Sequence, residues 1–112
     1  MLIYKILLSS EWAGFEAAGR FEGSPSDRRD GFIHCSSRSQ VGETARRFFG
    51  REPALVVVAV NADLLGESVR WEAASDGRGV FPHVYGVLPG DAVVAVHHVA
   101  DASSVDGTLP PE

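Results

Sequence analysis

Two short stretches hold most of the side chains able to do chemistry. The first is Asp30-Gly31-Phe32-Ile33-His34-Cys35-Ser36-Ser37-Arg38-Ser39-Gln40. On a strand, successive side chains alternate faces, which sets Phe32, His34 and Ser36 on one side and Ile33 and Cys35 on the other. Ile33 and Cys35 suit a core, so His34 and Ser36 face a cleft or solvent together. Ser37 to Gln40 has the Ser-x-x-Gln pattern that starts a helix. A helix start leaves backbone N–H groups unpaired and attracts anions, and Arg38, Arg28 and Arg29 stand near it in sequence. Strand, polar pair and helix start together suit a phosphate-bearing ligand. They equally suit a hydrogen-bonded histidine beside an ordinary helix cap.

The second stretch is Phe81-Pro82-His83-Val84-Tyr85-Gly86. If it is extended, Phe81, His83 and Tyr85 share a face, and an aromatic beside an imidazole suits stacking on a flat ring with a polar handle. The plainer alternative is a proline-bearing edge segment whose aromatics fill the core, which fits Phe81 best. In Val69-Arg70-Trp71-Glu72-Ala73, alternation opposes an apolar face (Val69, Trp71, Ala73) to Arg70 and Glu72. A lone strand carboxylate is ordinarily solvated, and Glu72 gains meaning only if the fold brings it beside His34.

Other chemistries are weakened. A nucleophilic Cys35 needs a base on its own face, and alternation turns His34 away from it. There is no glycine-rich phosphate loop, and no histidine pair stands at i, i+4 on a helix. His97 and His98 point to opposite faces of a strand and cannot both bind one metal, so no metal is expected. His34-Cys35-Ser36 matches the His-x-Ser/Thr unit of two-histidine phosphoesterases, but His83-Val84-Tyr85 lacks the hydroxyl residue of a second copy.

The elements that position these residues follow from periodicity and punctuation. Ile3 to Leu8 reads as a buried strand. Ser9-Ser10 caps a helix through Glu11–Ala18 that packs by Trp12 and Phe15 and stops at Gly19. Arg20 to Gly23 is a short strand, and Ser24 to Gly31 is a loop rich in turn residues. Phe32 to Ser36 is a strand. In the helix from Ser37, Val41, Thr44, Ala45 and Phe48 share one face. Leu55 to Val60 is apolar at every position and reads as a central strand. Asn61 to Gly66 is a turn or 3-10 segment, and Val69–Ala73 and Val93–Val99 are further strands. The expected class is α+β, a small mixed or antiparallel sheet with two main helices.

Composition sets the bounds. The chain has 112 residues, the size of one domain, read as residues 1–100 followed by an acidic tail, 101–112, whose Ser, Gly and Pro content suits loose order. The net charge is −5. From Arg28 to Arg51, however, six arginines oppose only Asp30 and Glu43, a local excess of +4 around His34. The overall charge argues against DNA as a partner, and the local one is compatible with a small anionic ligand. The longest apolar run, Ala54–Val60, is 7 residues, against the roughly 20 of a membrane helix. Met1 to Ile6 lacks the basic region of a signal peptide, and the single cysteine forms no intrachain disulfide, so a cytoplasmic setting is expected.

Taken together, Ile3-Tyr4-Lys5-Ile6 with Trp12, Asp30 to Ser36 with Gln40-Val41, Arg70-Trp71-Glu72, and Phe81 to Gly86 resemble family 952 of the domains of unknown function, small proteins of bacteria and plants. The resemblance spans about Ile3 to Val99 and brings with it a grouping with the ADP-ribosyltransferase-like fold, a split α+β sheet around a nicotinamide-dinucleotide cleft. It implies NAD, as substrate rather than resident cofactor, or a related small-molecule nucleotide as the ligand. It further implies His34 and Glu72 as catalytic residues, and His83 of the second stretch is taken as catalytic beside them. Ser36 would hold ribose hydroxyls with His34, and Arg38 with the helix start near Gln40 would hold the pyrophosphate. Tyr85 or Trp71 would lie under the nicotinamide, and Glu72 would stabilise the ribosyl cation. The position of Glu72 relative to Tyr85 departs from the usual order in that fold. Two alternatives stand beside transfer of ADP-ribose: a non-catalytic nucleotide- or anion-binding module, and transfer of a 2′-phosphate from RNA. The list of site residues holds as a whole only if His34, His83, Tyr85 and Glu72 line one concave pocket.

Overall fold

Alternation along the first strand organises the molecule. The computed structural model describes all 112 residues. In chain order the elements are β1 (Leu2–Leu8), α1 (Ser9–Ala18), β2 (Arg20–Phe21), α2 (Pro25–Asp30), β3 (Ile33–His34), α3 (Arg38–Phe49), β4 (Leu55–Asn61), β5 (Val69–Ala73), β6 (Val80–Val84), β7 (Leu88–Pro89), β8 (Val93–Val99) and α4 (Val105–Thr108). Ile3 and Leu7 enter one core and Tyr4 and Ile6 another, on opposite faces of β1. β4 lies between β1 and β8, antiparallel to both, and its Leu55–Val60 run is buried throughout because both of its faces are covered.

This sheet is the middle layer. One face packs on α3 and the C-terminal segment through Val41, Ala45, Val105 and Leu109. The other meets Phe15 of α1 and the inner residues of two small sheets, β2-β7 and β3-β6-β5. All strand pairings are antiparallel, so the protein is α+β with three small antiparallel sheets, two main helices (α1 and α3) and two short ones. No helix is long and apolar enough to cross a membrane.

Five expectations need correction. Ser9 and Ser10 do not cap α1 from outside but are its first two residues, and the Glu11 carboxylate accepts from Leu8 N at 2.8 Å. Ser24 to Gly31 is not a loop but α2. Ser24 Oγ accepts from Asp27 N at 3.2 Å, the Asp27 carboxylate accepts from Ser24 N at 2.9 Å, Pro25 opens the helix, and Gly31 closes it at φ +86°. The strand expected over Phe32–Ser36 pairs with β6 only through Ile33 and His34. The chain then changes sheets: Cys35 N still donates to Pro82 O of β6 (3.1 Å), while Ser36 pairs with Tyr4 of β1 (2.8 and 2.9 Å). On α3, Phe48 is exposed and Phe49 packs against the core instead. Finally, the segment after Asp101 is folded, with Ala102, Val105 and Leu109 buried.

Arg38 ties that segment down. Its guanidinium donates to the carbonyls of Pro110 (2.9 Å), Asp106 (3.0 Å) and Leu109 (3.1 Å) and pairs with the Asp106 carboxylate (2.9 Å). A Cβ at Gly42 would run into the same carboxylate, so the helix face is bare where the segment crosses it. Arg38→Ala should therefore cost about 1–3 kcal/mol by denaturant titration. It should also speed hydrogen exchange at the Leu109 amide, which donates to Val105 O, while leaving the β4 amides protected.

Candidate functional site

Lys5 is the one polar side chain on the core-facing side of β1 between Ile3 and Leu7. It is buried, and its ammonium meets Asp27 Oδ2 at 2.9 Å and the His34 carbonyl at 3.0 Å. The Asp27 side chain is only 2% exposed. Its other oxygen accepts from His34 N (3.0 Å) and lies 2.6 Å from His34 Nδ1. Burial alone would raise this carboxyl's pKa, but the hydrogen bond from His34 and the charge of Lys5 outweigh it and hold the group well below the usual carboxylate range. On its other side, His34 Nε2 lies 2.9 Å from Asp30 Oδ2. Both ring nitrogens thus face carboxylate oxygens, which accept from a ring N–H.

β3-β6-β5 continues this face. Register places His34 opposite His83 and His83 opposite Arg70. Phe32 stacks on the His83 ring at 3.9 Å between centroids and also touches His34 (4.7 Å) and Tyr85 (5.4 Å). Glu72 Oε1 accepts from the Tyr85 hydroxyl at 2.7 Å and lies 2.8 Å from His83 Nδ1. The Tyr85 hydrogen bond, then that from His83, lowers the Glu72 pKa, and the same contact raises that of Tyr85. Arg70 lies over the Tyr85 ring at 4.8 Å. The result is one layer of rings, carboxylates and cations: Asp30, His34, Phe32, His83, Glu72, Tyr85, Arg70.

Of the residues singled out from the sequence, His34, Glu72, His83 and Tyr85 come together. Ser36, Arg38, Gln40 and Trp71 do not join them. The sheet change after Cys35 breaks the alternation, and Ser36 is buried with its hydroxyl on Thr44 of α3 (3.4 Å). Arg38 is engaged by the C-terminal segment. Gln40 caps α3 at Ser37 N (2.9 Å) and donates to Val80 O (2.7 Å). Trp71 lies opposite Pro82, on the reverse face of β5 from Glu72. The local arginine excess is also dispersed, since Arg38 and Arg46 turn to Asp106. Cys35 is buried and its thiol is pushed up to about 12 by burial, which makes it unreactive.

The shared pocket expected of His34, His83, Tyr85 and Glu72 is not formed by either of two concavities in the surface, and the four meet on an open face instead. One concavity, of about 440 Å³, lies at the C-terminal end of α3 among Arg46, Arg47, Phe48 and Arg51. The other, of about 100 Å³, adjoins the layer and is lined by Glu22, Asp27, Arg28, Gly31, Phe32, Ile33 and Gly86. No group of three or more His, Cys, Asp or Glu side chains is arranged to hold a metal ion. Sequence reasoning missed Lys5, Asp27, Asp30 and Phe32 as members of the site. The Ser24-Pro25-x-Asp27 start and the Gly31 stop were the signals that could have placed the two aspartates on a helix beside His34.

Comparison with known proteins adds family and fold. Residues 6–96 match DUF952, described as a protein of unknown function. The chain is similar to protein CC0527 from Caulobacter crescentus. Its crystal structure is 46% identical over 91% of each chain with a TM-score of 0.80, and its solution NMR structure is 41% identical over 95% of each chain with the same score. No curated protein matches.

Asp27→Asn leaves the buried Lys5 without its counter-charge, and should cost about 3–5 kcal/mol at neutral pH. The pH dependence has a definite sign. The carboxyl titrates lower in the folded state than the 3.8 of a free aspartate, so its stabilisation is complete above that value and is lost as pH falls below it. Denaturant titrations between pH 7 and pH 3 should show an acid-side loss in the wild type that is shallower in Asp27→Asn.

Proposed function

The chain belongs to the DUF952 family of proteins of unknown function, and from that premise we propose that it binds NAD or a related nucleotide across the Phe32–His34–Glu72–His83–Tyr85 face and transfers ADP-ribose from it. The observation that carries this reading is the Glu72 carboxylate, held by Tyr85 and His83 at the edge of a stacked aromatic surface. The nicotinamide ring of NAD is flat and cationic. An aromatic face attracts such a ring and a fixed carboxylate attracts its charge. As the bond from the nicotinamide nitrogen to ribosyl C1′ breaks, its electron pair leaves with nicotinamide and positive charge develops on the ribose, where Glu72 stabilises it. An acceptor nucleophile then bonds to C1′ and releases its proton to solvent. His34 keeps Nδ1 on Asp27 and, with Asp30 moved aside, donates from Nε2 to a ribose or phosphate oxygen.

A second reading, a non-catalytic nucleotide-binding module on the same face, is favoured by the positions of Ser36 and Arg38. The two groups that the transferase pattern assigns to ribose and pyrophosphate are turned elsewhere. Calorimetric titration with NAD should give heat with wild type and none with Phe32→Ala or His34→Ala. Chromatography of the same mixtures separates the two readings. Transfer predicts free nicotinamide at a rate falling about 100-fold in Glu72→Gln, which keeps the side chain's shape but not its charge. Intact NAD after long incubation supports the binding module, and absence of heat with wild type defeats both.

A further inference from the structure

Asp30 occupies an unusual place in this layer. Its two carboxylate oxygens are held by different donors, Oδ1 by Arg29 Nε at 3.0 Å and Oδ2 by His34 Nε2 at 2.9 Å. The Arg29 contact, first, and that of His34 hold this carboxyl below its ordinary value. A guanidinium and an imidazole converging on two oxygens of one anion are what a phosphate or carboxylate ligand needs. Here the protein supplies the anion itself.

We propose that the Asp30 carboxylate is an internal stand-in for a phosphate group, and that a phosphate-bearing ligand displaces it and takes over the donors Arg29 Nε and His34 Nε2. This rests on the nucleotide reading above and gives that ligand's phosphate its place.

Three features make the exchange physically cheap. His34 is anchored on its far side by Asp27, whose side chain is buried, so the ring keeps its position when Asp30 leaves. Asp30 is the last residue of α2, and Gly31 follows it in a left-handed conformation, so its side chain can swing outward without disturbing a core. Arg29 is mostly exposed and free to follow an incoming anion. A phosphate brings more charge and more acceptor oxygens than the single carboxylate it replaces. The Phe32 ring beside His34 then lies where a base or nicotinamide attached to that phosphate would stack.

The internal carboxylate also acts as a filter. Any anion must compete with it, so affinity in the wild type is held down and weakly basic anions are excluded. Removing Asp30 leaves both donors converging on an empty position.

The test uses inorganic phosphate and pyrophosphate as probes, followed by the NMR signals of the His34 ring. Asp30→Ala should bind pyrophosphate at least 10-fold more tightly than wild type, and Asp30→Asn, which keeps one acceptor, should gain less. Asp91→Asn removes one exposed carboxylate on the segment before β8 and should bind as wild type does. Adding Arg29→Ala to Asp30→Ala should abolish the gain. Equal affinities in wild type, Asp30→Ala and Asp91→Asn, with folding verified by melting, would overturn the proposal. NAD separates the two layers of inference. Tighter pyrophosphate with no NAD binding in any variant defeats the nucleotide reading and leaves the anion site standing. NAD binding that is equal in wild type and Asp30→Ala supports the nucleotide reading and overturns the role of Asp30.

Discussion

The ion pair between Lys5 and Asp27 joins three parts of the chain that are far apart in sequence: the first strand of the central sheet, the short helix α2, and β3. Placing an ammonium on the apolar side of β1 is costly unless its charge is met, and the Asp27 carboxylate and the His34 carbonyl meet it. The same carboxylate caps α2 and binds His34 through both its backbone N–H and its ring. One buried carboxylate therefore fixes where α2 starts, where β3 runs and which way the imidazole points. His34 is thereby aligned with His83 across the small sheet, and Phe32 seats between the rings of both strands. The open layer of rings and charges is built outward from a closed salt bridge.

How much of this the sequence revealed depended on whether a signal was local. The uninterrupted apolar run of β4, the Gly19 stop after α1 and the Ser37–Gln40 start of α3 are all written within a few residues, and each element formed where they predicted. Period-two alternation correctly opposed His34 to Ile33 and Cys35, and grouped His83 with Tyr85 and Arg70 with Glu72. It failed at Ser36, because a strand that leaves one sheet for another turns about its own axis, and no residue type announces that departure. The helix at Pro25–Asp30 was obscured for a different reason. Ser, Pro, Asp and Gly are turn residues and also helix-terminus residues, and six residues leave almost no interior to show a helical period. The C-terminal segment looked like loose chain because its apolar residues are few. Val105 and Leu109 are ordered by the face of α3 and by Arg38, a residue more than sixty positions away.

The arithmetic of charge changed meaning in the same way. The arginine excess around His34 is real along the chain, but α3 turns Arg38 and Arg46 toward Asp106 of the acidic C-terminal segment and away from the imidazole. What remains around the imidazole is a balanced set: Arg29 against Asp30, Lys5 against Asp27, and Arg70 on the ring of Tyr85 beside Glu72. A face of that kind exerts little long-range pull on an ion and discriminates at contact distance, by who exchanges partners with whom.

The crossing at Cys35–Ser36 bears on how still that face can be. Adjacent amides of one dipeptide are bonded to two different sheets, Cys35 to β6 and Ser36 to β1, so the two sheets are joined across a single peptide unit. His34 is the residue immediately before this joint. Its backbone dihedrals are fixed by pairing on one side and by the crossing on the other, and its two side-chain torsions are fixed by the bond from Nδ1 to Asp27. The imidazole therefore has almost no conformational entropy left to lose when it meets another molecule. The side-chain freedom that remains at the site lies instead in the more exposed arms of Arg29 and Asp30.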